Sequence, residues 1–186
     1  MTQQYRSGMS PATFCAGGAG AWRIDSITPI IGETLGSAPR LDVRAGIVAV
    51  PEAAWTLCGS SGHVRYVERS EKTVLDPVSP PLGRPEATCG ALIPIRKSDA
   101  WWALPQDERR AIFEARSRHI ADCLPYLPRV ARRLYHAREL GEGFDFLTWF
   151  EFAPEHAGAF DELLALLRSR EEWQYVEREV ELRLSR

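Results

Sequence analysis

DERRAIFEARSRHIADC, residues Asp107 to Cys123, has the spacing of an amphipathic helix: Ile112, Ala115, His119 and Cys123 fall at i, i+3, i+7 and i+11 and share one face. Glu108, Arg109, Glu114, Arg116 and Arg118 mostly occupy the other faces, so one imidazole points where the apolar side chains point. A histidine so placed is either a core residue satisfied by a backbone carbonyl or a ligand for something held against the helix.

Working outward, Ala87 to Lys97 (ATCGALIPIRK) reads as a strand, with Pro94 placing it at a sheet edge or bulge. Ser98 to Leu104, with Trp101 and Trp102, leads to Pro105, which opens the helix; Pro125 and Pro128 stop it. Val130 to Ala137 is a strand, residues 141–143 a glycine-rich turn, and Phe144 to Phe152 (FDFLTWFEF) an aromatic-rich strand. Pro154 starts a second amphipathic helix with Phe160, Leu163, Leu164 and Leu167 on one face, and Tyr175 to Leu184 alternates as a closing strand. Residues 87–186 therefore read βαββαβ, the split βαβ of a ferredoxin-like half.

Residues 1–86 are expected to form a shortened version of the same unit. Thr13 to Cys15 and Ala21 to Ile31 read as strands about a glycine turn, a short strand is expected within Arg44 to Val50, and another at Ala54 to Cys58. Tyr66 to Leu75 has the charge spacing of a short helix before the breaker run Asp76 to Pro85. The fold class is α+β, and two such sheets closing on each other would remove exposed edges and enclose a pocket toward which His119 points.

Composition narrows the function. The chain has 186 residues, 45% hydrophobic and 26% charged, with a net charge of −2 and a pI near 6.1, so it is globular and has no basic footprint for nucleic acid. A small anion remains a plausible ligand, because one or two local arginines set the potential inside a pocket. Cys15, Cys58, Cys89 and Cys123 lie far apart without metal-site spacing, which reads as a reduced, cytoplasmic chain. No apolar stretch reaches membrane-spanning length, and the N-terminus lacks the basic start and apolar core of a secretion signal.

The segments GRPEATCGALIPIRKSDAWWALPQDERRAIFEARSRHIADC and LPYLPRVARRLYHARELGEGFDFLTWFEFAPEHAGAFDELLALLRSREEWQYVEREVELRLSR, with GHVRYVERSEK upstream, resemble the short-chain branch of the chlorite dismutase family. That resemblance implies a dimeric α+β barrel binding heme b, with chlorite converted to chloride and dioxygen through ferryl iron and transient hypochlorite. Carried over by position, the axial iron ligand falls on His119 and its carboxylate partner on Glu172, with Glu171 as the neighbouring alternative. A carboxylate accepting from the ring nitrogen that does not bind iron fixes the tautomer and strengthens the imidazole as a donor.

Lys97 matches a lysine of the proximal hydrogen-bond network, Tyr66 a tyrosine near a heme propionate, and Trp101 and Trp102 tryptophans beside the heme. Arg132 matches the family's distal arginine, whose guanidinium suits a chlorite oxyanion; Arg133 would face the other side of the strand. The related coproheme decarboxylases typically carry an uncharged residue there, so Arg132 argues against that activity. The alternatives on one scaffold are a heme peroxidase or porphyrin-modifying enzyme, or a non-enzymatic heme-binding protein.

Overall fold

The computed structural model describes residues 10–62, 79–141 and 143–186. Eight strands form a closed antiparallel barrel: β1 (Ser10–Gly17), β2 (Trp22–Ile31), β3 (Arg40–Ala45), β4 (Trp55–Ser61), β5 (Cys89–Lys97), β6 (Val130–His136), β7 (Phe146–Phe152) and β8 (Val176–Ser185). Around the barrel their order is β1-β3-β2-β8-β5-β7-β6-β4, with β4 returning to β1. The helical segments are α1 (Asp99–Ala103), α2 (Gln106–Arg110), a π-helical turn (Ala111–Arg116), α3 (His119–Cys123) and α4 (Ala157–Arg168). A 3₁₀ turn, Glu171–Tyr175, follows α4. No helix among the described residues is long and apolar enough to cross a membrane.

The barrel is filled, and side-chain alternation explains why. Phe14, Trp22, Leu41, Leu57, Leu92, Tyr135, Leu147, Trp149 and Leu182, drawn from all eight strands, pack into one interior cluster. Phe14 meets Tyr135 edge to face at 5.2 Å and Trp22 meets Trp149 the same way at 5.4 Å. The opposite face of β5 and β7 presents Ala91, Ile93, Ile95, Phe150 and Phe152 to Phe160, Leu163, Leu164 and Leu167 of α4. These four α4 residues are the ones the helical spacing selects, and burying each contributes roughly 1.5–3 kcal/mol.

Several expectations change. β3 begins upstream, at Arg40, and shares only Arg44 and Ala45 with the expected stretch 44–50, because Gly46 turns at φ 85° and ends the strand. Pro94 is neither at an edge nor at the bulge, since β5 is flanked by β7 and β8 and the register shift falls between Arg96 and Lys97. The single helix 107–123 is divided into α2, the π turn and α3, separated at Arg118 by a left-handed residue of φ 53° and ψ 32°. Ala115 is exposed as a result, while Ser117 is 1% exposed. Tyr66 and the expected helix at 66–75 lie outside the described residues.

The seam between β4 and β6 is narrow, pairing Ser60 with His136, and Gly59 beside it faces inward. A Cβ on Gly59 would stand 2.7 Å from the Tyr135 Cβ and 3.3 Å from Leu147 Cδ1. Gly59→Ala should therefore destabilise the barrel by about 1–3 kcal/mol through overpacking at its weakest closure. Chemical denaturation checks this, and a midpoint equal to the parent's would show that the seam absorbs the methyl group.

Candidate active site

Because the interior is occupied, the pocket lies outside it, between the outer face of the C-terminal strands and the helical segments, and not between two closing sheets. Counted out to its open mouth, it encloses about 920 Å³ of space between the lining side chains. Alternation on three strands builds its floor: Ile93, Ile95 and Lys97 from β5, Arg132, Leu134 and His136 from β6, and Phe146, Thr148 and Phe150 from β7. Trp101, Phe113, His119, Leu164, Leu167, Glu172 and Trp173 complete it. All these residues fall between 93 and 173, so no described N-terminal residue lines the pocket.

Three segments distant in sequence meet at Glu172. Its Oε2 lies 2.9 Å from His119 Nδ1, and Lys97 Nζ donates to its Oε1 at 2.9 Å and to its carbonyl at 3.1 Å. Its backbone N–H donates to Ser117 Oγ at 3.0 Å, which ties the 3₁₀ turn to the segment just before α3. An ionised carboxylate only accepts, so Nδ1 carries the ring proton and the Nε2 lone pair is left for the pocket. The imidazole stacks on Phe113 with centroids 4.5 Å apart.

Burial pushes the Glu172 carboxyl up, but adjoining His119 and Lys97 outweigh it and hold it at about 2, against an ordinary 4.5. Burial likewise lowers the Lys97 ammonium, opposed by Glu172. The two effects pull against each other across one contact. Two hydrogen bonds to Nζ, with the Trp101 ring at 4.6 Å and the Trp173 ring at 5.5 Å, favour the ion pair, so the carboxylate stays charged at neutral pH.

The remaining expected residues divide. Arg132 lines the pocket and Arg133 is exposed, as strand parity requires. Trp101 is 2% exposed and lines the pocket, and its buried Nε1 has no hydrogen-bond partner among the described residues. Trp102 does not line it: its indole donates to Asp145 at 3.2 Å and lies under the Arg138 guanidinium at 4.0 Å. Glu171 instead pairs with Arg116 at the surface, at 3.2 Å. His136 and Thr148 are pocket residues that the sequence reading passed over; counting by twos along β6 from Arg132 would have reached His136.

A prosthetic group can be tested against this arrangement. Among the described residues no cluster of three or more His, Cys, Asp or Glu is set to hold a bare metal ion. The His119 imidazole with Nε2 left for the pocket, mostly apolar walls and one arginine suit a flat, largely apolar macrocycle that brings its own metal and carries polar edge groups. The residues present fit a heme.

The depressed carboxyl of Glu172 has a defined sign. Its charged form stabilises the native state above pH 4.5, by on the order of 3 kcal/mol, and that contribution is lost as pH falls through about 2. Melting temperatures measured from pH 6 to 2 should fall less steeply in Glu172→Gln than in the parent. Parallel curves would mean that this carboxylate carries none of the acid sensitivity.

A family model described as chlorite dismutase matches residues 44–186. The dimeric chlorite dismutase of Nitrobacter winogradskyi is 56% identical, with a TM-score of 0.88 over 94% of this chain and 99% of that one. A mutant chlorite dismutase from Candidatus Nitrospira defluvii in complex with cyanide shares the fold at 21% identity, TM-score 0.64, over 95% and 91% of the two chains. The chlorite dismutase of Ideonella dechloratans is 36% identical over 84 residues, a match spanning 45% of this chain and 27% of that protein. With its closed α+β barrel and a family match over most of its length, this chain belongs to the chlorite dismutase family.

Proposed function

We propose that the protein is a heme b enzyme that decomposes chlorite to chloride and dioxygen. The observation that carries this reading is the His119–Glu172–Lys97 chain beside an apolar pocket into which Arg132 also faces. His119 would hold the iron through Nε2, with Glu172 keeping the proton on Nδ1 and making the ring a stronger donor. When bound, heme supplies a redox-active iron that can take an oxygen atom from chlorite and return it in dioxygen.

The protein's own work is binding, orientation and charge. Arg132 holds the chlorite anion and the anionic product of its cleavage by charge-assisted hydrogen bonds, keeping them near the reacting centre. Ile93, Leu134, Phe146, Phe150, Leu164 and Leu167 exclude water, which strengthens every charge interaction inside. Lys97 fixes the other oxygen of Glu172, and the Trp101 ring lies 4.6 Å from the Lys97 ammonium. Tyr66 is assigned a propionate contact by resemblance alone, and Trp102, outside the pocket, supports the wall through Asp145.

The reading extends to architecture. The spatial orders β4-β1-β3-β2 and β8-β5-β7-β6 repeat one another, which supports two ferredoxin-like halves, 1–86 and 87–186, the first the shortened one. A homodimer is supported by the dimeric state of the 56% identical relative. A cytoplasmic location is supported by four free cysteines.

Two variants test the assignment. His119→Ala should lose stable heme binding, read as loss of the Soret band and a large rise in heme dissociation constant; an unchanged spectrum and affinity would show the wrong ligand. Arg132→Ala should keep the Soret band, while oxygen evolution on adding chlorite falls and KM rises roughly ten-fold or more, the loss of a charge-assisted hydrogen bond worth about 1.5–3 kcal/mol. Arg133→Ala serves as the control. Parent-like oxygen evolution in Arg132→Ala, or none in the heme-loaded parent, would overturn the activity proposed.

A further inference from the structure

Glu114 lies outside the pocket lining, yet it holds the turn from which His119 projects. The chain departs from a regular helix twice before that turn. Ser117 N–H donates to the Ile112 carbonyl at 3.0 Å, the five-residue spacing of a π turn, and Arg118 then adopts the left-handed region. A helix begun this way has bare N–H groups in its first turn, and Arg118 provides no side-chain cap for α3.

Both oxygens of Glu114 meet those groups. Oε2 accepts from Ile120 N–H at 2.7 Å and Oε1 from Ala121 N–H at 3.3 Å. The carboxylate arrives from the preceding π turn, where the neighbouring Phe113 stacks on the His119 ring, so one short segment grips α3 by its backbone and by its imidazole. Five residues of helix cannot hold themselves in water, and a left-handed entry costs energy, so α3 needs external anchorage at its start. Negative charge is favourable at that end.

From this geometry we infer that Glu114 is a positioning residue: by clamping the first turn of α3 it fixes the His119 ring for its hydrogen bond to Glu172. The functional consequence rests on His119 being the axial ligand of the heme. The hydrogen bonds of the Glu114 carboxylate go to the backbone of residues 120 and 121, and its effect on the ring passes through them.

The test compares heme-loaded parent, Glu114→Ala and Glu114→Gln. In Glu114→Ala heme should transfer to an apoprotein scavenger roughly ten-fold faster or more. The iron midpoint potential should rise, because a looser ring donates less well to Glu172 and is a poorer electron donor. Glu114→Gln should recover part of both, since its amide oxygen retains one acceptor. The Ile120 and Ala121 amides should exchange with solvent roughly five-fold faster in Glu114→Ala, the loss expected of a missing cap. Parent-like heme loss and potential overturn the inference, whether or not the amides loosen. A parent chain that takes up no heme sinks the heme reading instead, and Glu114 is then judged by exchange of those amides and of the His119 Nδ1 proton, where protection equal to the parent's overturns the inference.

Discussion

The site depends on one buried carboxylate. Glu172 is 6% exposed and answers two donors, His119 on one oxygen and Lys97 on the other. Taking a carboxylate and an ammonium out of water costs several kcal/mol per ion, so such a pair is weak evidence for stability. Its value lies in placement: each charge is tolerable only where the other sits, and the imidazole inherits a fixed tautomer. The end of β5, the start of α3 and the 3₁₀ turn after α4 are held together by that requirement. Lys97 is also fixed through its backbone N–H, which donates to the buried Asp145 at 2.7 Å.

Where the pocket lies follows from strand parity. In β5 to β7 one set of side chains completes the barrel interior and the alternate set is left for the outer face. Phe14, Trp22, Tyr135 and Trp149 leave the interior no room for a macrocycle, and close approach is secured by glycine: a Cβ at Gly90 would stand 3.0 Å from the Trp22 ring. The outer face is covered by α4 over part of its area, and the remainder is the pocket floor. The same parity separates Arg132, half-buried and facing the pocket, from Arg133, exposed on the other side.

The helix α4 was legible because it has one buried face and an unbroken period; Phe160, Leu163, Leu164 and Leu167 are all buried as the spacing requires. The His119–Glu172 contact was reached only through family resemblance, since 53 residues separate the pair and no local pattern links them. The location of the pocket was not legible, because it depends on whether the interior is full, and that is a property of eight strands together. Trp101 and Trp102 show the limit within two residues: adjacent and chemically alike, one lines the pocket and the other stacks beneath Arg138 outside it.

The break in the helix at 111–118 shows why a regular period fails where it matters most. Continued at 3.6 residues per turn, the chain would bury Ala115 and turn Ser117 away. The wider π turn instead sets Ser117 beneath Ile112, buries it, and leaves Ala115 in solvent. The inward position then holds a hydroxyl, which accepts from Glu172 N–H and so couples the turn carrying the carboxylate to the chain that presents the imidazole. An alanine methyl there would offer Glu172 no acceptor. The irregularity weakens the helix, as π turns generally do, and in exchange it brings a hydrogen-bonding group to the point where the two halves of the site meet.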